Sequence, residues 1–472
     1  MGYVAGESRT QGTLFPVSLD ELLADDHVCR VIEAFVRRLD LGALGFSKAS
    51  TRDTGRPPYD PADLLKLYIY GYLHQTRTSR RLEKECHRNV EVMWLLNRLA
   101  PDHKTIARFR QENGAALRKS CAAFVQFCRG AGLVGGEWVA IDGSKFRAVA
   151  SSKAVWNAKR LAKEQQRLES GIASYLAQLD EADDRESATE IDGAAVKAAL
   201  AVLESQLADN QQVQALLKAT GRTQTTATEP EARSMKGTGP AYNVQSAVDD
   251  QHHLIVHHAV TDEATDNRSL EPMALEAKQV LAVEQLNVLA DAGYANGEQV
   301  ATLDEADVTA YVASNRSANN QGDGQLFQPD RFSHDPDTDT LTCPAGNTLY
   351  RKQVQRKNNQ IIYSARAEDC SVCPLKSQCT QSKRRLVGRH IYAEALDRMK
   401  ERTTAAHMKR RGSIVEHPFG TLKYQIFEKP RFVLRGLWGA GTEMALSVLV
   451  YNLKRAMNVL GNAEMRRRLA TI

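Results

Sequence analysis

Three carboxylates far apart in the chain stand in settings where an acid can do chemistry. Asp142 closes the apolar run WVAID and precedes Gly143, and Asp291 closes LNVLAD just before Ala292-Gly293. Glu416 lies in VEHPFGTLK, seven positions ahead of Lys423, so on a helix the acid and the base share one face. In open α/β sheets, polar groups at strand ends gather into sites. If the two strands are neighbours, Asp142 and Asp291 meet, and Glu416 on a following helix leans over them. Clustered carboxylates repel one another and raise one another's pKa unless a cation is present. Two Mg²⁺ ions about 3.5–4 Å apart resolve that conflict and supply phosphoryl-transfer chemistry, one at the attacking oxygen and one at the leaving oxygen. Singly, each acid has a plainer role. Asp before Gly is a turn former, and Ser413 with Glu416 reads as a capping box. Their joint arrangement favours the site.

The elements that must position these groups follow from periodicity. EWVAIDGSKFRAVA alternates as a strand, with Trp138, Ala140 and Asp142 on one face and Val139 and Ile141 on the other. YNVQSAVDD and HHLIVHHAV read as a strand pair, LEPMALEAKQVLAV as a helix, and LNVLADAG as a strand ending in a turn. VTAYVA adds a strand after a helix at 297–306. This predicts an α/β fold, a mixed sheet covered by helices. Residues 18–125 read as helices, with a capping box at Ser18 and Glu21 and helical spacing of Val28, Ile32, Phe35, Val36 and Leu39. Asp60-Pro61 opens a second helix, and Asp102 opens one that buries Ile106, Phe109, Leu117 and Phe124. Such helices on short polar turns fit a helix-turn-helix-like module. Between 154 and 218, the stripes Leu161, Leu168, Ile172, Leu179 and Val196, Leu200, Leu203, Leu207 flank the acidic LDEADDRESATEID. They predict an inserted antiparallel helical hairpin. Residues 315–340 read as a polar loop.

A chain of 472 residues suggests two to four domains. Its 42% hydrophobic and 25% charged content exclude a disordered or membrane-embedded class. The apolar run 436–453 carries Glu443, Ser447 and Asn452 and reads as a buried core helix. The first residues lack a basic-then-apolar signal pattern, so a cytoplasmic protein with no membrane partner is expected. The net charge of +5 is uneven: residues 66–135 hold thirteen Lys/Arg against five Asp/Glu, and residues 351–435 hold twenty against seven. Two such blocks suggest a polyanion, and nucleic acid first. Arg80, Lys84 and Arg88 share a face, as do Lys104 and Arg108, and these are candidate phosphate contacts; a solvated stripe is the alternative for each alone.

Of eight cysteines, Cys29, Cys86, Cys121 and Cys128 are scattered in helices and read as small buried hydrophobes. Cys343, Cys370, Cys373 and Cys379 cluster, and four thiolates can hold a tetrahedral structural Zn²⁺. Segment 341–380 is polar enough that it can bury little apolar surface unaided. Reduced, metal-free thiols are the other reading. The pairs His252-His253 and His257-His258 alternate across a strand and read as satisfied core or surface histidines.

IDGSK, GPAYNVQSAVDD, LADAGY and IVEHPFGTLK together resemble the motifs of DDE transposases of bacterial insertion sequences. The stretch from FPVSLDELL through PDHKTIARFR resembles the N-terminal domain of one large subgroup, and the likeness runs roughly from 14 to 460. It implies a ribonuclease-H-like catalytic domain over 136–153, 231–314 and 381–460, behind a helical DNA-binding domain over 1–135. The inserted hairpin then spans 154–230 and a Cys-rich insertion 315–380. Asp142, Asp291 and Glu416 become the catalytic triad, holding Mg²⁺ that Mn²⁺ can replace. Lys423 matches the lysine of the Tyr-Arg-Glu-Lys signature. Met408 and Gly412 stand where its Tyr and Arg are expected, and Arg411 is the stand-in, with Lys145 of IDGSK as a further DNA contact. The resemblance implies metal-dependent cleavage at element ends, strand transfer into target DNA, and a homo-oligomer when DNA is bound. A nuclease of the same fold that does not join, or a DNA-binding protein with a disused catalytic domain, are the alternatives.

Overall fold

The computed structural model describes residues 18–50, 57–184, 193–226, 228–313 and 326–471. The side chain of Leu179, residues 185–192, and the first part of the expected polar loop (up to residue 325) lie outside them. The first part is helical: α1 (Val28–Arg38), α2 (Pro61–Leu73), α3 (Ser79–Arg88), α4 (His103–Glu112) and α5 (Gly114–Gly130). Asp60 caps α2 by accepting from Ala62 N at 2.7 Å, and Asp102 caps α4 through Lys104 N and Thr105 N. The box expected at Ser18 is not a cap. Ser18 Oγ donates to the Glu21 carboxylate at 2.9 Å, and α1 starts later, capped by His27 Nδ1. The single helix expected from Asp102 breaks at Asn113, whose side chain donates to Phe109 O at 2.8 Å and accepts from Ser47 N at 2.7 Å. A short amide that bonds to nearby backbone competes with helix continuation.

The main sheet comprises β1 (Trp138–Arg147), β2 (Arg233–Met235), β3 (Gly239–Asp249), β4 (Ile255–Thr261), β5 (Leu286–Ala290) and β6 (Val308–Val312). The order is β2-β3-β1-β5-β6, with β4 also on β3. β3 pairs antiparallel with β1, β2 and β4, while β1, β5 and β6 run parallel. Between β1 and β2 the chain forms α6 (Ala158–Asp184) and α7 (Gly193–Thr220), which pack on each other. Parallel neighbours need crossovers, and α8 (Leu270–Leu281) and α9 (Gly297–Glu305) provide them. The fold is mixed α/β.

Residues expected to bury little apolar surface form a second antiparallel sheet. Its strands are β7 (Ser333–Asp335), β8 (Thr340–Thr342), β9 (Thr348–Gln355), β10 (Gln360–Ala365) and β11 (Leu386–His390). Phe332, Leu341, Leu349, Tyr363 and Val387 give it a core of its own. Alternation supplies that core: Ile361, Tyr363 and Ala365 all face inward from β10.

The chain then forms α10 (Ala393–Arg402), α11 (Ala405–Thr421), α12 (Gly436–Leu460) and α13 (Asn462–Thr471). α12 packs on α2, α5 and β4 and buries most of its length. Among the described residues, no helix is long and apolar enough to cross a membrane. Glu443 within α12 is fully buried, with Arg77 and Arg110 at 3.9 and 3.8 Å and Val433 N donating to it. Arg77 also donates to Phe427 O and Arg431 O. This buried, paired charge ties the N-terminal helices to the C-terminal ones.

Candidate active site

Asp142 lies inside β1, not at its end as the apolar run suggested: pairing with β3 continues to Arg147, and Asp142 is opposite Ser246. On the other side, β1 runs parallel to β5 in the register Val139–Val288 and Ala140–Leu289. Continuing that register sets Asp142 level with Asp291, which directly follows the last residue of β5. Asp291 turns the chain by accepting from Gly293 N at 2.8 Å through Oδ1. Its Oδ2 stays 3.5 Å from the Arg411 guanidinium, which also donates to Asp142 Oδ1 at 2.8 Å. One cation thus joins the two aspartates.

α11 delivers Arg411. Its N-terminus is a capping box at Thr404 and His407, nine residues before Ser413-Glu416, so Glu416 lies in mid-helix and Ser413 Oγ instead donates to Arg410 O. Arg410 pairs with Asp250 and lies over the Trp138 ring at 4.4 Å, pinning the helix to the sheet. Glu416 is exposed, and its Oε1 lies 3.8 Å from the place a Cβ on Gly412 would take. Among the described contacts it touches neither aspartate. Beyond Thr421 the helix widens into a π-helical turn, Leu422–Ile426, which carries Lys423. Lys423 packs 5.7 Å above the Phe146 ring, itself in an aromatic cluster with Phe427 and Phe432.

Residues 17–112 match the family model described as Transposase domain (DUF772), and residues 342–457 match the one described as Transposase DDE domain. The chain is a DDE transposase of the insertion-sequence type. Glu416 and Lys423 fall within the second matched segment, whereas Asp142 and Asp291 fall in neither. Among solved structures, the cryo-EM structure of a piggyBac transposase synaptic complex with hairpin DNA aligns over 95% of this chain and 79% of that one, at 8% identity and a TM-score of 0.34. No curated protein matches the sequence.

Electrostatics in the transposase follow from this packing. Burial pushes the Asp142 carboxyl up, Arg411 opposes that, and Asp291 and Asp266 add to it. Burial pulls the Lys145 and Lys423 ammonium groups down, and the carboxylates near them push back. Asp266 is the residue that sequence reasoning missed. Its signal was Asn243 and Gln245 alternating on one face of the almost wholly buried β3, which left two amides in need of a partner.

The remaining expected site residues divide. Arg80, Lys84, Lys104 and Arg108 are exposed on α3 and α4, with no ion pair among the described contacts. Arg88 pairs with Glu85. Arg411, expected to touch DNA, points into the carboxylates instead, because they are its nearest counter-charge. Cys343, Cys370, Cys373 and Cys379 line one small pocket, all with free thiols, beside Leu349 and Ala365. Burial pushes Cys379 up, the Arg385 charge opposes that, and the other three thiols add to it. Among the described residues, no three or more His, Cys, Asp or Glu side chains are gathered with their ligand atoms converging on one point. Neither the carboxylate triad nor the four-thiol set expected from sequence is therefore assembled as a finished ligand shell. Protein groups already face these side chains: Arg411 bridges the aspartates, and Leu349, Ala365, Asn347 and Arg385 stand beside the thiols.

Proposed function

We propose that this transposase cleaves DNA at the ends of its element and joins the freed 3′-hydroxyl to target DNA, using Asp142, Asp291 and Glu416 to hold Mg²⁺. The single observation that carries the reading is the level, cation-sharing pair Asp142–Asp291 on adjacent parallel strands. Two oxygen-donor groups that already share a guanidinium suit a hard divalent cation. Bound there, Mg²⁺ (or Mn²⁺) supplies stabilisation of charge at the attacking and leaving oxygens, in the two-ion arrangement.

The chain's own residues do the rest. Arg411 keeps the aspartates from repelling one another until it gives way. Glu416, one helical turn beyond Gly412, swings in from α11. Lys423 and Lys145 neutralise phosphate at the mouth of the centre. Water attacks the phosphodiester and its P–O bond to the 3′ oxygen breaks, which leaves a 3′-hydroxyl and a 5′-phosphate. That hydroxyl then attacks a target phosphodiester and displaces a new 3′-hydroxyl, so no Ser or Tyr nucleophile is required. Within this reading the main sheet is a ribonuclease-H-like core over 136–153, 231–314 and 381–460. Residues 1–135 bind DNA through Arg80, Lys84, Lys104 and Arg108, and 154–230 and 315–380 are insertions. The thiol pocket takes one structural Zn²⁺, and the protein acts as a homo-oligomer on DNA in the cytoplasm. The test is incubation of purified protein with Mg²⁺ and labelled DNA flanking its gene. Cleaved and joined products are expected. Hydrolysis without joining would reduce it to a nuclease, and binding without any nicking would leave a disused catalytic domain.

A further inference from the structure

We propose that Asp266 is a positioning residue of the catalytic centre, holding Lys145 and the turn that carries Asp291 in place beside Asp142. The proposal rests on the metal reading given above and adds a residue to it. Asp266 lies in the polar loop between β4 and α8, and three donors from the sheet converge on its Oδ1. Asn243 Nδ2 donates at 2.7 Å and Gln245 Nε2 at 2.6 Å, and Lys145 Nζ faces it at 3.6 Å. Lys145 is three residues beyond Asp142 on β1. Gln245 extends the chain of contacts, because its Oε1 accepts from the hydroxyl of Tyr294, the buried residue that ends the turn begun by Asp291. Asp266 Oδ2 reaches toward the same turn, 4.0 Å from where a Cβ on Gly293 would stand. One carboxylate therefore connects both aspartate-bearing segments.

The close approach is possible because Gly143 follows Asp142. A Cβ at Gly143 would come within 2.6 Å of Asp266 Oδ1 and 2.4 Å of Gln245 Nε2, closer than real side chains tolerate. The glycine after Asp142 is the opening through which Asp266 meets the strand. The network is also not closed upon itself. Asn243 is fully buried, yet its Oδ1 has no hydrogen-bond partner and lies 3.1 Å from that same space. Lys145 Nζ is buried without a hydrogen bond as well. A carboxylate kept only for stability would be expected in a satisfied network; this one leaves a buried acceptor, Asn243 Oδ1, and a buried charged donor, Lys145 Nζ, without a hydrogen bond.

The experiment is titration of the full-length protein with Mn²⁺, free Mn²⁺ being read by electron paramagnetic resonance, alongside thermal unfolding without metal. Asp266→Asn keeps the shape and loses the charge. It should weaken Mn²⁺ binding about tenfold, the scale of loss when an outer partner of metal ligands is changed, while the melting temperature holds. Gly143→Ala, which pushes the carboxylate away with Asp266 itself intact, should weaken Mn²⁺ binding too, with some loss of melting temperature from the clash; the stability control is therefore Asp266→Asn. Unchanged Mn²⁺ affinity in both variants overturns the proposal. So does weakening in Asp266→Asn that only accompanies a lowered melting temperature, which makes Asp266 purely structural. Asp142→Asn separates the two readings. If it keeps wild-type Mn²⁺ binding, the metal reading itself fails; if it loses binding while Asp266→Asn does not, only this proposal fails.

Discussion

The carboxylate centre and the cysteine pocket are both gatherings of like ligands, and the protein treats them differently. Around Asp142 and Asp291 it sets Arg411, Lys145 and Lys423, drawn from a helix, a strand and a π-helical turn. Around the four thiols it sets Leu349 and Ala365 on one side and Asn347, Thr380, Lys376 and Arg385 on the other, with no carboxylate among them. Carboxylates are charged at neutral pH, so gathering them demands compensating charge within the fold. Thiols are neutral until a base or metal takes their protons, so they pack as small apolar groups beside a core. The first centre is held ready by protein cations. The second, on the zinc reading, would close only when metal arrives.

The hardest test of that contrast is removal of the carboxylates. Asp142→Ala, Asp291→Ala and Glu416→Ala should each cut Mg²⁺-dependent DNA cleavage by at least about 10²–10³-fold, the scale for losing one electrostatic group at a reacting centre. Gel shifts and circular dichroism should find binding and folding retained; near-normal cleavage in any of them removes that residue from the centre.

Next comes the metal preference of the two regions. Purified protein should carry about one zinc per chain by elemental analysis, and Cys373→Ser should lose it. Zinc affinity should climb steeply with pH, because thiol protons must leave and Cys379 is pushed up. Mn²⁺ affinity at the carboxylates should vary far less between about pH 6 and 8, where such groups are ionised. Equal pH slopes would erase the contrast.

Smaller effects are expected at the protein's own counter-ion. Arg411→Ala should lower metal-free stability by roughly 1 kcal/mol, since Asp291 is about half exposed and solvent screens the pair. Mn²⁺ should restore it in a calorimetric scan. The sign at Asp142 is opposite. Burial raises its carboxyl, so its stabilising contribution is present below the ordinary aspartate range and is lost as pH rises through the raised value. Asp142→Asn should therefore stabilise the metal-free protein at pH 7 while abolishing cleavage, and a lower melting temperature would contradict this. The least change belongs to the exposed basic face. Each charge removed at Arg80, Lys84, Lys104 or Arg108 should reduce the log–log salt slope of DNA binding by about one, and an unchanged slope would mean another face meets DNA.

Much of this protein could be read along the chain. Alternation marked β1 and β3, Asp and Pro marked the start of α2, and apolar periodicity marked α12 as a core helix, since each is a local preference repeated over many residues. The pairing of Asp142 with Asp291 was legible too, because both end or interrupt apolar strands that parallel packing sets side by side. Local patterns misled where distant groups intervened. Asn113 broke a helix through Ser47, and Arg411 turned inward because two aspartates lay beneath it. Lys423 owes its position to a π-helical turn packed on Phe146, which a helical period of 3.6 does not describe.

What the sequence determined by itself is which residues form strands and helices, and which acids stand at the ends or within the runs that build the sheet. Those follow from side-chain period and backbone preference, which neighbours in the chain already carry. What only the tertiary structure decided is the company those acids keep. Asp266 sits in a loop with no period to betray it, and it meets β1 only because Gly143 has no side chain there. A charge buried beside others is acceptable only where partners from other elements compensate it, and such partners are chosen by packing in space.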